Sequence, residues 1–305
     1  MLYYLLKISR MEHLTEHAKR VAGWEAPERI NAILSAKWIG YTRAMDILKT
    51  LEDLLLHPPI LRMPNLLLVA PTNNGKTLLL HRFFKAHPPF INATATGLEI
   101  PVVYIQAPPK PDIRAFYMNI LVALHVPHKV DKWTRLYHQV INVFRKVNAR
   151  MLIIDEIHHI LAGPYTQQRA FLNAIKAMAN DLQIVIIGAG IKEALSAINT
   201  DPQLANRFEP ASLPKWKMDE EYLRLLASFE SLLPLRQPSY LAQQATAVKI
   251  LGMSEGTIGE MATVLKKAAI YAIQHQQEAI TTQILGKIAY ISPSYRQRQY
   301  QNELL

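Results

Sequence analysis

The sequence contains no cysteine, which excludes disulfides and thiolate metal sites and fits a reducing compartment. It also has no apolar run approaching the ~20 residues that a membrane-spanning helix needs. The opening Met1-Leu2-Tyr3-Tyr4-Leu5-Leu6 is apolar but stops at Lys7. It has no preceding basic segment and no small-residue cleavage site, so it reads poorly as a signal peptide. Residues 1–10 read instead as an extension or a misassigned start, and the expected location is the cytoplasm. Acidic residues are in short supply: 34 Lys and Arg against 24 Asp and Glu give 34 − 24 = +10. A surplus of that size suits either a polyanionic partner or ordinary solubility, and the location of the charges has to decide. Internal repeats and low-complexity tracts are missing, and no spacing supports a Ser-His-Asp triad or a paired-carboxylate glycosidase. What remains is 305 residues, half of them hydrophobic and 19% charged, the balance of a globular protein.

Four short aliphatic runs carry the fold: Leu66–Val69, Val102–Ile105, Met151–Ile154 and Ile184–Ile187. Each is nearly unbroken, and the segments between them are long enough for at least one helix. Such strands belong to a parallel sheet covered on both faces, with the loops that follow them along one edge. Before them, helical patterns near Glu12–Arg20, after Pro27 and over Thr42–Leu56 read as an N-terminal helical extension, residues 1–57. Residues 58–214 read as an α/β core. Beyond Pro214 the strand signals end, and helical patterns at about 219–233, 240–251, 257–276 and 281–291 predict a helical domain, residues 215–291. A polar tail, residues 292–305, carries Arg296 and Arg298.

The first strand runs into Ala70-Pro71-Thr72-Asn73-Asn74-Gly75-Lys76-Thr77 and then Leu78, where a helix begins. Strand, loop and helix form the context of a P-loop. Its backbone N–H groups wrap phosphates, and the helix N-terminus adds positive potential. Gly75 permits close backbone approach, Lys76 reaches the β- and γ-phosphates of ATP, and the Thr77 hydroxyl suits Mg²⁺. The strict pattern begins with Gly, and Ala70 stands there; one methyl group is tolerated where φ is negative. The third run ends in Asp155-Glu156. Asp155 is then placed to hold the magnesium, and Glu156 to orient and deprotonate the attacking water.

With both elements placed, the chain resembles the AAA+ ATPases, whose P-loop domain carries a helical lid. More narrowly it resembles the TniB-type ATP-binding proteins of bacterial transposons, relatives of TnsC. The resemblance rests on Lys37–Tyr41, Pro59–Leu67, Pro71–Thr77, Leu152–His158, Thr200–Glu209 and Ser254–Glu260. It implies a P-loop AAA+ parallel sheet flanked by helices, a C-terminal helical lid and the N-terminal extension. It also implies a bacterial ATPase that assembles as a ring or filament on double-stranded target DNA. Such a protein recruits a DDE-type transposase, alongside a TniQ-like targeting protein. A helicase loader of the IstB or DnaC kind, and a nucleotide-gated DNA-binding scaffold with little hydrolysis, stay open as alternatives. In AAA+ assemblies a neighbour's arginine completes the ATP site, and Arg207 stands where the resemblance expects it; pairing with Glu209 is the ordinary alternative. Two departures imply slow hydrolysis. The fourth strand ends in Gly188-Ala189-Gly190 rather than a polar residue, and Gly256–Gly259 in the lid offers no arginine. Lys266 and Lys267 come later on that helix, where solvation would account for them.

Eight basic residues (Lys110, Arg114, Lys129, Lys132, Arg135, Arg145, Lys146, Arg150) lie between 110 and 150, against Asp112 and Asp131. That local surplus marks a phosphate-tracking surface. Lys110, Arg114, Lys129 and Lys132 are the candidate DNA contacts. His158 and His159 are adjacent, not spaced i and i+4, so packing or a polar contact is expected rather than a metal site. The four tryptophans are scattered and read as core or interface anchors.

Overall fold

The computed structural model describes residues 11–35, 37–92 and 97–303. The first ten residues, expected to be an extension or a misassigned start, lie outside the described residues. Helices α1 (Glu16–Ala22), α2 (Ala26–Leu34) and α3 (Thr42–Leu56) come first. Then follow β1 (Asn65–Val69), α4 (Lys76–Ala86), the short strands β2 (Phe90–Asn92) and β3 (Gly97–Glu99), and β4 (Val102–Gln106). Helices α5 (Ile113–Ala123) and α6 (Trp133–Lys146) lead to β5 (Met151–Asp155), a 3₁₀ helix (Ile157–Ala162) and α7 (Tyr165–Leu182). The sheet is finished by β6 (Val185–Gly190), α8 (Lys192–Asn199), α9 (Pro202–Ala205) and β7 (Phe208–Ser212). After it come α10 (Glu220–Leu232), α11 (Gln244–Ser254), α12 (Ile258–Gln274), α13 (Thr282–Lys287) and α14 (Pro293–Glu303).

The main sheet has five strands in the order β4-β5-β6-β1-β7, and every neighbouring pair is parallel. The aliphatic runs take these places because both of their faces are covered. β5 and β6 are buried along their whole length. Phe116 and Ile120 of α5, Val140 and Phe144 of α6 and Phe171 of α7 join the cluster that packs on Leu152, Ile154 and Ile186. Burying each such side chain is worth ~1.5–3 kcal/mol. Asn65, buried at the start of β1, stays satisfied by accepting from the Ile186 N–H at 2.8 Å. The antiparallel pair β2–β3 lies outside the main sheet and was not anticipated, because its apolar residues Phe90, Ile91 and Leu98 are exposed and lack a buried strand's pattern.

The chain divides into two compact units, Arg43–Pro214 and a second made of Met1–Thr42 with Lys215–Leu305. The division differs from the expected one, which kept an N-terminal extension to residue 57. In the second unit Ile33 and Ile39 share a core with Tyr222, Leu226, Met261 and Leu265, whereas α3 belongs almost entirely to the sheet unit. The polar tail past 292 is helical: residues 293–303 form α14, and Arg296 pairs with Glu260 at 2.7 Å. Lys266 and Lys267, expected to be solvated, donate to backbone carbonyls of Leu34 at 3.0 Å and Ala289 at 2.6 Å.

One buried cation locks that unit. Arg29, 2% exposed, donates to both Glu278 carboxylate oxygens and to the Pro234 carbonyl. Burial pushes the Glu278 carboxyl up, but its hydrogen bonds with Arg29 and the Arg236 N–H outweigh that and hold it below the usual range. The pair's stabilisation is therefore present above the ordinary carboxylate range and is lost as pH falls through the lowered value. Arg29→Ala leaves Glu278, among the described residues, with only Arg236 as a partner and should cost about 3–5 kcal/mol in urea denaturation near neutral pH. That penalty should shrink on acidification, and a loss under 1 kcal/mol would refute the lock.

Candidate phosphate site

The loop after β1 turns sharply before the helix. Asn73 and Gly75 have positive φ, 58° and 87°, and Gly75 is the left-handed N-cap from which α4 starts. A Cβ at such a φ is costly, so glycine stands where the backbone turns sharply into the helix. Ala70 keeps a negative φ and is buried, which removes the objection to its methyl group. Asn74, also buried, pins the loop to the end of β7 by donating to the carbonyls of Leu213 at 2.8 Å and Pro214 at 3.0 Å. Residue type alone did not reveal that anchor. Lys76 donates to the carbonyls of Ala70 at 2.9 Å and Pro71 at 3.1 Å. Burial lowers its pKa, with the charges of Glu156 and Asp155 opposing the shift. Its present partners are neutral carbonyls, and an anionic phosphate oxygen is a stronger acceptor than either.

Because β6 lies between β1 and β5, the carboxyl ends of these two strands stand two places apart in the sheet. The gap is bridged by the Thr77 hydroxyl, which donates to Asp155 Oδ2 at 2.8 Å. Tyr104 on β4 donates to the same oxygen at 2.7 Å, and the Glu156 N–H donates to Oδ1 at 2.8 Å. Burial and this hydrogen bond to Asp155 both push the Tyr104 phenol up, so it remains a donor. Tyr104 was not among the expected site residues; its contact with Asp155 depends on the in-register pairing of β4 with β5. A hydroxyl and a carboxylate 2.8 Å apart form the hard-oxygen set that suits Mg²⁺.

Glu156 leaves the strand in the left-handed region, φ 54° and ψ 35°, and the 3₁₀ helix begins at once. That tight turn brings the two histidines, for which packing or a polar contact was expected, together with the acid. The rings of His158 and His159 are 4.9 Å apart, and Glu156, His158 and His159 present ligand atoms within 4.8 Å of one another. His158 Nδ1 approaches Glu156 Oε2 to 3.2 Å. Gly190 makes room for this ring: a Cβ there would lie 3.3 Å from His158 Nδ1 and 2.8 Å from the Ala194 Cβ.

The other expected site residues are spread more widely. Arg207 precedes β7 and its carbonyl accepts from the Asn65 N–H, so it lies at the amino end of β1. The length of β1, five residues at ~3.3 Å each, separates that end from the P-loop. Arg207 therefore cannot reach a phosphate held by its own Lys76. Its guanidinium donates to Asn180 at 2.7 Å rather than pairing with Glu209. It lines an open cleft of about 750 Å³ with His57, Arg62, Gln203 and Asn206. Lys110, Arg114, Lys129 and Lys132 are all exposed. Lys110 follows β4 and Arg114 is in the first turn of α5, while Lys132 caps the start of α6. The end of α6 returns to the amino edge of the sheet, where Val147 accepts from the Ile100 N–H. Among the tryptophans, Trp24 and Trp133 are about half exposed and are not core anchors.

A five-stranded parallel sheet of this order, with a P-loop after β1 and Asp-Glu at the end of β5, defines a P-loop AAA+ fold. Solved structures agree. The ORC2 protein of Aeropyrum pernix in its ADP form superposes with a TM-score of 0.60 at 17% identity, covering 84% of this chain and 71% of that one. The ORC1 protein of Aeropyrum pernix in complex with DNA gives 0.53 at 14%, covering 88% and 69%. Drosophila ORC bound to DNA gives 0.55 at 14%, covering 87% and 65%. The chain belongs to the TniB family: the family model described as Bacterial TniB protein matches residues 29–218. No curated protein sequence matches the chain. Among the described residues, no helix is long and apolar enough to cross a membrane.

The tight fit at Gly190 yields a direct check. Gly190→Ala forces the Ala194 contact apart and should destabilise the chain by about 1–3 kcal/mol in chemical denaturation. An unchanged midpoint would mean that the end of β6 is looser than the geometry indicates.

Proposed function

We propose that this chain is an ATP-dependent transposition regulator that assembles on duplex target DNA and recruits a DDE-type transposase to the insertion site. One observation carries the nucleotide half of the reading: the Thr77 hydroxyl and the Asp155 carboxylate meet at 2.8 Å beside the P-loop. Membership of the TniB family supports the transposition half. The structural likeness to DNA-bound ORC proteins supports a DNA partner.

In this reading the loop N–H groups and Lys76 hold the ATP phosphates. Thr77 and Asp155 hold Mg²⁺, which when bound offsets charge on the phosphate oxygens. Glu156 takes a proton from water as its oxygen attacks the γ-phosphorus, and the bond to the β–γ bridging oxygen breaks, leaving ADP. Arg207 acts on the nucleotide of a neighbouring copy, since its own lies a strand's length away. β6 ends in Gly188-Ala189-Gly190 and brings no polar side chain of its own, which supports slow turnover and ATP as an assembly signal. Lys110 and Lys129, with Arg114 and Lys132, contact DNA phosphates and carry no base readout.

Lys76→Ala should abolish ATP binding in a fluorescent-nucleotide titration. Glu156→Gln should keep binding and lower turnover by about 10²–10⁴-fold, the usual contribution of a general base. Unchanged turnover in Glu156→Gln would remove Glu156 from the chemistry, and turnover undetectable in every condition would favour a nucleotide-gated scaffold.

The DNA surface is tested by salt dependence. With ATP present, the chain with both Lys110→Ala and Lys129→Ala should bind duplex DNA with a log–log salt slope shallower by about 0.9 per lost phosphate contact. An unchanged slope would move the DNA surface elsewhere.

A further inference from the structure

A buried polar atom without an aligned partner calls for an explanation, and His158 has one. Its Nδ1 is shielded from solvent and, among the described residues, makes no aligned hydrogen bond. Yet Glu156 Oε2 is 3.2 Å away, an ion-pair distance that a small rotation of either side chain would turn into a hydrogen bond. The side chains of His158 and Glu156 are only 19% and 30% exposed, so water competes weakly for that contact. The ring is confined on the other side. Gly190, at the end of β6, has its missing Cβ position 3.3 Å from Nδ1 and 3.4 Å from the His158 backbone nitrogen. His159, its ring tilted by 58° with the centroids 4.9 Å apart, packs beside the His158 ring and lies 3.4 Å from the Ala107 carbonyl. His158 Nδ1 is therefore held beside the Glu156 carboxylate, within reach of a hydrogen bond to it. Burial lowers its pKa, against the charge of Glu156, and this favours the neutral imidazole.

We propose that His158 is a positioning residue: its Nδ1–H restrains the Glu156 carboxylate in the orientation from which it serves as base. The inference rests on the ATPase reading of Glu156 given above. Glu156 needs such a restraint because Asp155 already has three donors on its two oxygens, from Thr77, Tyr104 and the Glu156 N–H, whereas the Glu156 carboxylate pairs with His158 at 3.2 Å. A base held by a third group keeps its reacting oxygen aligned, and misplacement by ~1 Å can cost about a hundredfold in rate. Asparagine can place an amide N–H near the position of Nδ1, and alanine offers none.

The test is steady-state ATP turnover of the full chain with duplex DNA, comparing wild type, His158→Ala, His158→Asn and Glu156→Gln, with a thermal melt for each. His158→Ala should lower kcat at least tenfold with KM within about twofold, and His158→Asn should recover most of the loss. In the Glu156→Gln background, His158→Ala should add nothing, because it acts through the missing carboxylate. Full kcat in a folded His158→Ala chain, or a loss multiplying that of Glu156→Gln, overturns the positioning role and leaves the ATPase reading intact. Equal losses in the alanine and asparagine variants, with lowered melting, would make His158 a packing residue and also overturn it. A wild-type chain without turnover overturns both readings.

Discussion

Everything at the carboxyl edge of the sheet depends on one bridge across β6, the hydrogen bond from Thr77 to Asp155. Its two ends arrive by different routes. Thr77 is the second residue of a helix that starts at a left-handed glycine, and Asp155 is the last residue of a strand buried along its whole length. Burial of the Met151–Ile154 side chains fixes where the strand ends, and Asn74 fixes the loop against the end of β7. The hydrophobic core therefore sets the spacing of the polar atoms. A slip of one residue in β5 would turn Asp155 to the other face and break the bridge.

The constraint has a second consequence. The acids at the end of β5 are treated unequally by the fold: Asp155 is enclosed by donors, while Glu156 turns out of the strand in the left-handed region and meets His158. An enclosed carboxylate suits ion binding, which requires a fixed charge. A partly exposed and nearly unencumbered one suits proton transfer, which requires reach. On the proposed reading, that division of labour is built into the backbone at a single residue, Glu156.

Much of this was legible in the sequence because strong, local signals carried it. Unbroken aliphatic runs announced four strands of the sheet, and the P-loop residues with Asp155-Glu156 marked the candidate site, where Thr77 and Asp155 meet. What escaped was set by long-range register or by turn geometry. Tyr104 meets Asp155 only because β4 pairs in register with β5. His158 and His159 come together only because a 3₁₀ helix follows Glu156. The grouping of α1 and α2 with the C-terminal helices was illegible for a similar reason. It rests on contacts such as Arg29 with Glu278, 249 residues apart, and no window along the sequence contains both. Asn74 read only as part of the P-loop; its anchoring role escaped because its partners are two backbone carbonyls near residue 214, which leave no side-chain signature.

The fold also separates Arg207 from its own Lys76 by the length of a strand, so the proposed arginine finger has to come from a second copy. The most direct test mixes two inactive chains, Lys76→Ala and Arg207→Ala, on duplex DNA and follows ATP turnover. Each alone should be without turnover. The mixture should regain part of the wild-type rate, because the intact P-loop of one chain meets the intact arginine of the other. Wild-type turnover by Arg207→Ala alone, or no recovery on mixing chains that still assemble, would contradict a site completed between copies.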